Sequence, residues 1–260
     1  MIVRGGNACC CKENAIKYGK FRRSSDSQTI QRYRCKTCQK SFSQASYHPA
    51  YYQKKRQINT PLMMLLGSTM SMRRAALFFG VHQITIARKL EYLGTELRKR
   101  IAEKQVDYQH VTAIQFDELQ TIEHTKCKPL SVAMAVSEGG RKILGFRVSR
   151  MPATGHLARI SRRKYGPRKD ERYEGLCDLF QELEGFLSPD ISIKSDMAPY
   201  YESVVRTYFP KAKHQQFKGE KSAVYGQGEL KRVKRDPLFS INHSFAMLRA
   251  NINRLIRKTW

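Results

Sequence analysis

Two aspartates each close an apolar, strand-like run, and together they could hold divalent metal ions. Asp117 ends "VTAIQFD" and Asp196 ends "ISIKSD". Two converging carboxylates can hold a pair of Mg²⁺ or Mn²⁺ ions about 3.5–4 Å apart, one activating a water or 3′-hydroxyl and the other stabilising the leaving oxygen of a phosphodiester. Hard oxygen ligands suit these ions. Either aspartate alone is typical of a turn, but the two together in a basic protein favour a catalytic site.

A third ligand for these ions is marked less clearly. Asn242 in "NHSFAMLR" lies at the start of the last predicted helix, with Arg249 seven positions later, and its side-chain carbonyl could coordinate a metal without adding charge. His243, beside it, could coordinate a metal or orient a phosphate. Glu229 in "GQGELKR" is the reserve candidate, although its glycine-rich stretch is typical of a loop. We favour Asn242, for which a helix N-cap is the structural alternative.

A second metal site is indicated by cysteines near the amino end. Cys35 and Cys38 form a CxxC pair in "RCKTCQKSFS", and Cys9, Cys10 and Cys11 precede them. Two cysteine clusters joined by a segment that predicts short hairpin strands are typical of a zinc ribbon, in which four thiolates bind Zn²⁺. Cys11 is the surest upstream ligand, and Cys9 or Cys10 would be the fourth. Unmetallated thiols remain the alternative, and a redox pair is disfavoured because no βαβ pattern surrounds the CxxC.

Mixed strands and helices must position the aspartates. Strand patterns at 111–118, 130–138 and 142–150 are followed by a basic stretch, an amphipathic helix, a strand ending at Asp196, a helix, a short strand and a last helix. This is the order of an RNase H-like domain, in which the first and fourth strands are neighbours, so Asp117 and Asp196 should converge. The basic stretch, Arg159 to Arg172, contacts phosphate or forms a solvated loop, and Cys127 and Cys177 are plain buried or half-buried thiols.

The residues between the cysteines and the strands predict a helix-turn-helix. Ser71 can cap a helix that ends near Phe79, Gly80 supplies the turn, and a third helix begins near His82 and continues as a charged connector. Its predicted inner stripe is Ile86, Ala87, Leu90 and Leu93. Its predicted outer, DNA-contacting residues are Gln83, Thr85, Arg88 and Lys89. Arg22, Arg23 and Arg34 would contact phosphate from the cysteine module. The alternative to the helix-turn-helix is an ordinary helical hairpin, and the alternative to the phosphate-contacting arginines is a solvated basic face.

Charge supports a nucleic-acid partner. The 260 residues include 48 Lys and Arg against 22 Asp and Glu, which gives a net charge of +26 and a pI near 10.0. So much positive charge favours DNA or RNA as the partner. Residues 1–30 contain no apolar run of the length a signal peptide needs, and the run from Pro61 to Leu66 is too short to span a bilayer. We therefore expect a cytoplasmic protein without a membrane partner.

The order of these features resembles the insertion-sequence transposases of the DDE superfamily, found in bacteria and archaea. The resemblance rests on the cysteine clusters, the helix-turn-helix, "IQFDE" and "IKSDMAPYY", and it covers nearly the whole chain. It implies an α+β protein with a zinc-ribbon-like module (1–48), a helix-turn-helix domain (56–105) and an RNase H-like catalytic domain (110–260). In such families the third acidic residue begins the last helix, with Lys or Arg seven positions later, which Asn242 and Arg249 match in place. The spacing from Asp196 to Glu229 is also common in that superfamily.

The resemblance also implies an activity and its partners. Such enzymes bind the terminal repeats of a mobile element, cut its ends with Mg²⁺ or Mn²⁺ and join the 3′ ends to target DNA, as homo-oligomers near the nucleoid. Two alternatives stay open: a non-catalytic DNA-binding regulator, and an RNase H-like nuclease that acts without element-specific binding. The chain ends at Trp260 inside a predicted helix. With the irregular CCC cluster, this leaves open a truncated or decaying copy.

Overall fold

The computed structural model describes residues 14–24, 26–51, 53–108, 110–218, 222–224, 227–231, 236–252 and 255. The chain forms two compact units that divide between Leu97 and Arg98. The division lies inside a helix and within the predicted helix-turn-helix domain (56–105). The predicted cysteine module and most of that domain fall in the first unit, and the predicted catalytic domain falls in the second. Within the described residues, no helix combines the length and the hydrophobicity needed to cross a membrane.

The first unit begins with a small antiparallel sheet. Its strands are β1 (Ala15–Arg22), β2 (Thr29–Cys35) and β3 (Ser41–Ser43), in that order across the sheet. Tyr33 of β2 stacks on Phe42 of β3 with ring centroids 5.8 Å apart. At the β1–β2 turn, the Asp26 carboxylate pairs with Arg23 and, at 3.2 Å, with Arg56. Ring stacking and this ion pair hold a sheet that is too small to bury a core of its own.

Three helices complete the first unit: α1 (Asn59–Gly67), α2 (Met72–Phe78) and α3 (Gln83–Lys104). The Ser71 hydroxyl accepts a hydrogen bond from the Arg74 amide at 3.4 Å, which confirms the predicted cap of α2. Gly80 has φ +58°, a conformation that favours glycine, and it makes the tight turn between α2 and α3. A small core of Leu62, Ala75, Ala76 and Ile86 joins the three helices.

The second unit is built on a five-stranded mixed sheet. Its strands are β4 (Ala113–Ile122), β5 (Pro129–Ser137), β6 (Ile143–Arg150), β7 (Ser192–Asp196) and β8 (Lys213–Phe217), in the spatial order β6-β5-β4-β7-β8. β4, β5 and β6 are antiparallel neighbours, whereas β7 runs parallel to β4 and β8 runs parallel to β7. The predicted α+β class and strand order, with the first and fourth strands adjacent, are confirmed.

Helices cover both faces of this sheet. On one face α5 (Arg172–Glu184) and α6 (Tyr201–Tyr208) pack over Ile114, Phe116 and Leu144. On the other face α7 (Phe239–Asn251) packs through Ile241 and Phe245 over Leu119 and Met134. Fully burying an apolar side chain of this size stabilises the fold by about 1.5–3 kcal/mol. The two cores therefore fix which face of β4 each of its side chains occupies.

Several predicted elements differ in the structure. β4 continues to Ile122, so Asp117 lies inside a strand and does not end one, because β5 pairs with β4 along its whole length. The basic stretch contains a helix, α4 (Leu157–Tyr165). The segment with Glu229 forms β10 (Gln227–Lys231), paired with β9 (Ser222–Val224), and is not a loop. The last helix begins at Phe239 and ends at Asn251.

Candidate functional site

The register between β4 and β7 brings the two predicted aspartates level. Gln115 pairs with Lys194, and Asp117 and Asp196 each follow two residues later on the parallel strands. Neighbouring strands lie about 4.8 Å apart, and residues two apart share a face of the sheet. The two carboxylates therefore sit side by side on the face that α7 covers, near the carboxyl end of β7.

Hydrogen bonds hold each carboxylate in place. The Asp117 Oδ1 accepts from the Glu118 amide at 2.7 Å and from the Tyr201 hydroxyl at 3.3 Å. The Asp196 Oδ1 accepts from the Ala198 amide at 3.1 Å, in the turn between β7 and α6. Tyr201 is only 1% exposed and contacts Phe116 with ring centroids 4.7 Å apart, so its hydroxyl is fixed by the core. One oxygen of Asp117 is thus oriented by rigid donors.

The electrostatics of Asp117 are unusual for a carboxyl group. Burial, followed by repulsion from the Asp196 carboxylate, raises the pKa of Asp117 from 3.8 to about 7. The hydrogen bonds from Glu118 and Tyr201 act in the opposite direction but do not restore the ordinary pKa. Two carboxylates that share one site cannot both ionise without cost unless a cation joins them.

Glu118 is separated from this pair although it is adjacent in sequence. Side chains alternate along a strand, so Glu118 faces α5 and α6. Its Oε2 accepts from the Tyr200 hydroxyl at 2.8 Å, and burial raises its pKa while Tyr200 and Arg172 lower it. The Glu118 carboxylate still contributes to the raised pKa of Asp117, but less than burial and the Asp196 carboxylate do. The structure therefore assigns the two acids of "FDE" to different surroundings, which the sequence did not.

Helix α7 is fixed to β4 close to the carboxylates. Gln115 Oε1 accepts from the Ile241 amide at 3.1 Å, and Gln115 Nε2 donates to the Pro237 carbonyl at 3.0 Å. Asn242 follows Ile241 and is 7% exposed, and its Nδ2 donates to Asp236 Oδ2 at 2.7 Å. Asn242 lies within the first turn of the helix and is not the N-cap, which is Leu238. Its amide nitrogen is committed to Asp236.

The other candidates for a third ligand differ in position. His243 lies beside the β5–β6 turn, where Arg141 Nη1 is 3.1 Å from its Nε2. A guanidinium there competes with a metal ion, which argues against His243 as a ligand. Glu229 has its backbone in β10, and its side chain lies outside the described residues. Arg249 Nη2 donates to the Gln120 carbonyl at 3.4 Å, next to the carboxyl half of β4.

Helix α3 differs from its prediction at three positions. Gln83 and Arg88 are exposed and Thr85 is half-buried, as a DNA-reading face requires. Lys89 is 3% exposed, and its ammonium donates to Asn59 Oδ1 at 2.6 Å, so the prediction that Lys89 contacts DNA is wrong. Ala87 and Leu90, both predicted to be inside, are exposed. The inner stripe runs through Ile86, Lys89 and Leu93 because the helix is rotated by one residue relative to the apolar pattern.

The cysteine pair forms a tight turn. The Cys35 amide donates to the Lys40 carbonyl, and the Gln39 amide donates to the Cys35 carbonyl, both at 3.0 Å. Gln39 takes a positive φ of 59° in this turn. Cys35 is buried and Cys38 is half-buried, and both offer the soft sulfur that Zn²⁺ prefers. The predicted upstream ligands Cys9, Cys10 and Cys11 lie outside the described residues.

The predicted phosphate contacts of this module are partly engaged within the protein. Arg22 is exposed and donates to the Ser27 carbonyl at 3.3 Å. Arg23 pairs with Asp26. Arg34 donates to the Gln39 carbonyl at 3.3 Å and lies over the Tyr18 ring at 5.2 Å. Cys127, buried, and Cys177, half-buried, match their prediction as structural thiols.

Among the side chains that the structure describes, no three or more His, Cys, Asp and Glu form a group that could hold a metal ion. The carboxylate pair accordingly needs a ligand of another type, such as Asn242, or one from the substrate.

Sequence reasoning missed Tyr201, Gln115 and Asp236. The "MAPYY" tyrosines and the polar Gln115 inside an apolar strand were the sequence signals that could have indicated Tyr201 and Gln115.

Comparisons with protein-family models and with curated proteins find no significant match for this chain.

Proposed function

We propose that this protein is a DDE-type DNA transposase that cuts the ends of a mobile element and joins them to target DNA with Mg²⁺ or Mn²⁺. The observation that carries the proposal is the Asp117–Asp196 pair, in which a half-buried carboxyl group lies against a second carboxylate and has a pKa of about 7. Repulsion of this kind lowers stability and has no evident structural benefit. It is typical of sites that bind divalent cations or protons.

The donors present fit a divalent cation. Both side chains supply carboxylate oxygens, and a cation between them would reverse the repulsion that now raises the Asp117 pKa. Bound ions of this type activate a water or 3′-hydroxyl and stabilise the leaving oxygen of a phosphodiester. Tyr201 and the Glu118 amide orient Asp117 through Oδ1, so that Oδ2 can turn to a ligand.

Asn242 is the favoured third ligand in this proposal. Because its Nδ2 donates to Asp236, its carbonyl oxygen faces away from that bond and can serve as an uncharged donor. Asp236 also accepts from the Leu238 amide at 2.9 Å, so it fixes the start of α7 and the Asn242 amide together. Asp236 is thus a positioning residue, and Glu229 stays the reserve ligand.

The first unit supports recognition of DNA by this enzyme. Gln83 and Arg88 are exposed on the second helix of a helix-turn-helix, and the whole chain carries a net charge of +26. Cys35 and Cys38, with Cys11 and either Cys9 or Cys10, would complete a structural Zn²⁺ site. The proposed partners are the terminal repeats, the target duplex and a second copy of the chain, in the cytoplasm of a prokaryote. A DNA-binding regulator would have no use for a carboxylate pair, since it repels phosphate.

The test is strand cleavage and joining on linear DNA that carries the gene with its flanking genomic sequence, in Mg²⁺ or Mn²⁺. Asp117→Asn and Asp196→Asn should each lower cleavage by about a thousand-fold, because metal ions supply several kcal/mol of transition-state stabilisation. The matched control is Glu118→Gln, which changes the adjacent acid on the other sheet face and should keep at least about a tenth of the activity.

Two results would contradict the proposal. If Glu118→Gln lowered the cleavage rate as much as Asp117→Asn, the acids on the two faces of β4 would not have the different roles proposed. Tight, sequence-specific binding of the flanking DNA without cleavage by the wild-type protein would favour the non-catalytic regulator or a decayed enzyme.

A further inference from the structure

We propose that the solvent-exposed surface of α4, with Arg159, Arg162, Arg163 and Lys164, binds the phosphate backbone of duplex DNA at the end of the sheet that carries the carboxylate pair. This set of four residues is called the α4 cation face. The inference rests on the proposed function, since it takes DNA as the polyanion. It adds a contact surface in the second unit that is separate from the helix-turn-helix and the cysteine module.

Among the described residues, the α4 cation face gathers four cations without carboxylate partners on one short helix, whereas many other cations of this unit are paired. Arg147 pairs with Glu182, Arg150 with Glu171, Arg168 with Glu123, Lys169 with Glu174, Arg172 with Asp170, Lys194 with Glu138 and Arg206 with Glu202. All four members of the α4 cation face are exposed, and the described residues offer none of them an ion pair. Their charge is therefore available to an external anion.

Helix α4 is held firmly at the relevant end of the sheet. The Ser161 hydroxyl, on the buried side of α4, donates to the Cys127 carbonyl at 2.6 Å, in the connection that follows β4. Tyr165 contacts the His124 ring, with centroids 6.1 Å apart, and Lys128 Nζ lies 4.7 Å from the Tyr165 centroid. β4 and β7 are parallel, so the connection after β4 and Asp196 lie at the same end of the sheet. The cations are thus mounted on a fixed element.

The helix itself gains little from this arrangement of charge. Cations in the last turn interact favourably with the carboxyl end of a helix, which accounts for Arg162, Arg163 and Lys164. Arg159 lies in the first turn, where a positive charge is unfavourable and where no acid offsets it. Arg159 and Arg163 are four residues apart on one face and repel each other. A bound polyanion would relieve both effects.

The shape of the surface suits phosphate groups. Two shallow depressions of about 530 and 590 Å³ follow the helix. The first is lined by Gly155, Ala158, Arg159, Arg162 and Arg163, and the second by Arg159, Ile160, Arg163 and Lys164. Guanidinium groups donate in a fixed planar fork that matches phosphate oxygens. The Arg pair at positions 159 and 163 lines both depressions, so adjacent phosphates of one strand could be bound along the helix.

The test measures the salt dependence of duplex binding by the full-length protein. Fluorescence anisotropy would follow a labelled duplex of mixed sequence over a range of NaCl concentrations, without added Mg²⁺ or Mn²⁺. The combined variant Arg159→Gln, Arg162→Gln, Arg163→Gln should lower the slope of log affinity against log salt by about 2–3, at about 0.9 for each phosphate that is no longer neutralised, and weaken binding at least about tenfold. Glutamine keeps the helix propensity high, and circular dichroism would check the fold.

The matched control removes the same amount of charge elsewhere in the unit. Lys142, Lys211 and Lys213 are exposed at the opposite end of the sheet, where β6 and β8 begin. Their combined change to Gln should lower the slope by less than about 1. An equal effect of both variants would show that only net charge matters and would overturn the proposal, as would no effect of the α4 variant.

A second measurement does not depend on the combined variant folding. Ile160 is 48% exposed on α4, and a photocrosslinker attached to Ile160→Cys should react with the duplex, whereas one attached to Thr207→Cys on α6 should not. Equal crosslinking from the two positions would overturn the proposal. Because no Mg²⁺ or Mn²⁺ is added, neither experiment depends on catalysis, so an inactive carboxylate pair would leave both results unchanged.

Discussion

In α3 and in β4, two adjacent residues of like charge occupy opposite surroundings. Arg88 is exposed while Lys89 is buried against Asn59, and Asp117 faces α7 while Glu118 faces α5 and α6. A helix turns by about 100° per residue and a strand by 180°, so neighbours in sequence separate in both elements. What differs between the two regions is how each buried charge is accommodated.

Lys89 has a neutral partner, whereas Asp117 has a partner of the same charge. The Lys89 ammonium donates to Asn59 Oδ1 at 2.6 Å, and burial alone lowers its pKa. The Asp117 pKa is raised by burial and also by the Asp196 carboxylate. The neutral Asn59 partner limits the free-energy cost of burying the Lys89 charge, whereas the Asp196 carboxylate increases the cost of ionising Asp117. A buried charge therefore indicates function when its surroundings oppose it.

The largest effect on stability should come from Asp117 in the absence of divalent metal. The folded protein holds the Asp117 proton more tightly than the unfolded chain, so stability should fall as pH rises from 3.8 to about 7. This pKa difference corresponds to at most about 4 kcal/mol, and because the carboxyl is only half-buried we expect about 2 kcal/mol. Asp117→Asn should remove the pH dependence and be the more stable protein above pH 7.

Hydrogen exchange of the β4 and β5 amides without added Mg²⁺ or Mn²⁺ would measure this difference. Adding Mn²⁺ should slow exchange in the wild-type protein, because the ion binds only the folded state. It should leave Asp117→Asn unchanged. Stability that rises between pH 4 and 7 in the wild type, relative to the variant, would contradict the raised pKa of Asp117.

An effect of intermediate size, on duplex binding, should distinguish the exposed Arg88 of α3 from the buried Lys89. Arg88→Gln should weaken duplex binding about tenfold and lower the salt slope by about 0.9. Lys89→Met should leave both quantities unchanged, since the ammonium is directed at Asn59. Anisotropy titrations on one duplex would measure the two variants together. If Lys89→Met weakened binding as much as Arg88→Gln, the interior position of Lys89 would not describe the DNA-bound protein.

The smallest effect concerns the stability of the first unit. Lys89→Met leaves the Asn59 carbonyl buried without its donor, which costs about 1–3 kcal/mol. It also removes the desolvation cost of the buried ammonium, so the unfolding free energy should change by no more than about 1 kcal/mol. The double variant Lys89→Met, Asn59→Leu replaces both polar partners and should be at least as stable as the wild type. Urea unfolding of all three proteins would check this, and a double variant less stable than the wild type would show that the Lys89–Asn59 hydrogen bond is a net stabiliser.

The pH dependence of Lys89 should have the opposite sign to that of Asp117. The folded pKa of Lys89 lies below 10.5, so the unfolded chain binds this proton more tightly and stability should rise with pH up to 10.5. In Lys89→Met this alkaline rise should be absent. A wild-type stability that falls over the same range, relative to the variant, would contradict the burial of Lys89.

Much of the fold could be predicted because hydrophobic periodicity is a local property. The strands at β4 to β8, the helices over them and the Ser71 cap follow from alternation, helical spacing and one polar residue before an apolar run. α4 was missed because its exposed cations leave almost no apolar stripe, and β10 was missed because its glycines indicate a loop. Neither element is specified by its own sequence; α4 depends on contacts such as Ser161 with Cys127.

The candidate site was predicted in part. Asp117 and Asp196 were expected to converge, and the pairing of β4 with β7 brings them level. The side of the sheet on which each acid lies, and the roles of Tyr201, Gln115 and Asp236, depend on residues far apart in the chain. The Lys89 prediction was wrong because the packing of α3 on Asn59 set the rotation of the helix, overriding a pattern that placed Leu90 inside.

The α+β class, the order of the strands, the two aspartates and the preference of so basic a chain for a polyanion could all be read from the amino-acid sequence. These depend on composition and on local periodicity, which each segment carries with it. The folded structure was needed to find that Asp117 is buried against Asp196 with a pKa of about 7, that Asn242 is held by Asp236, and that the α4 cations have no acidic partners among the described residues. Those features arise from distances between segments remote in sequence, and a linear pattern does not contain such distances.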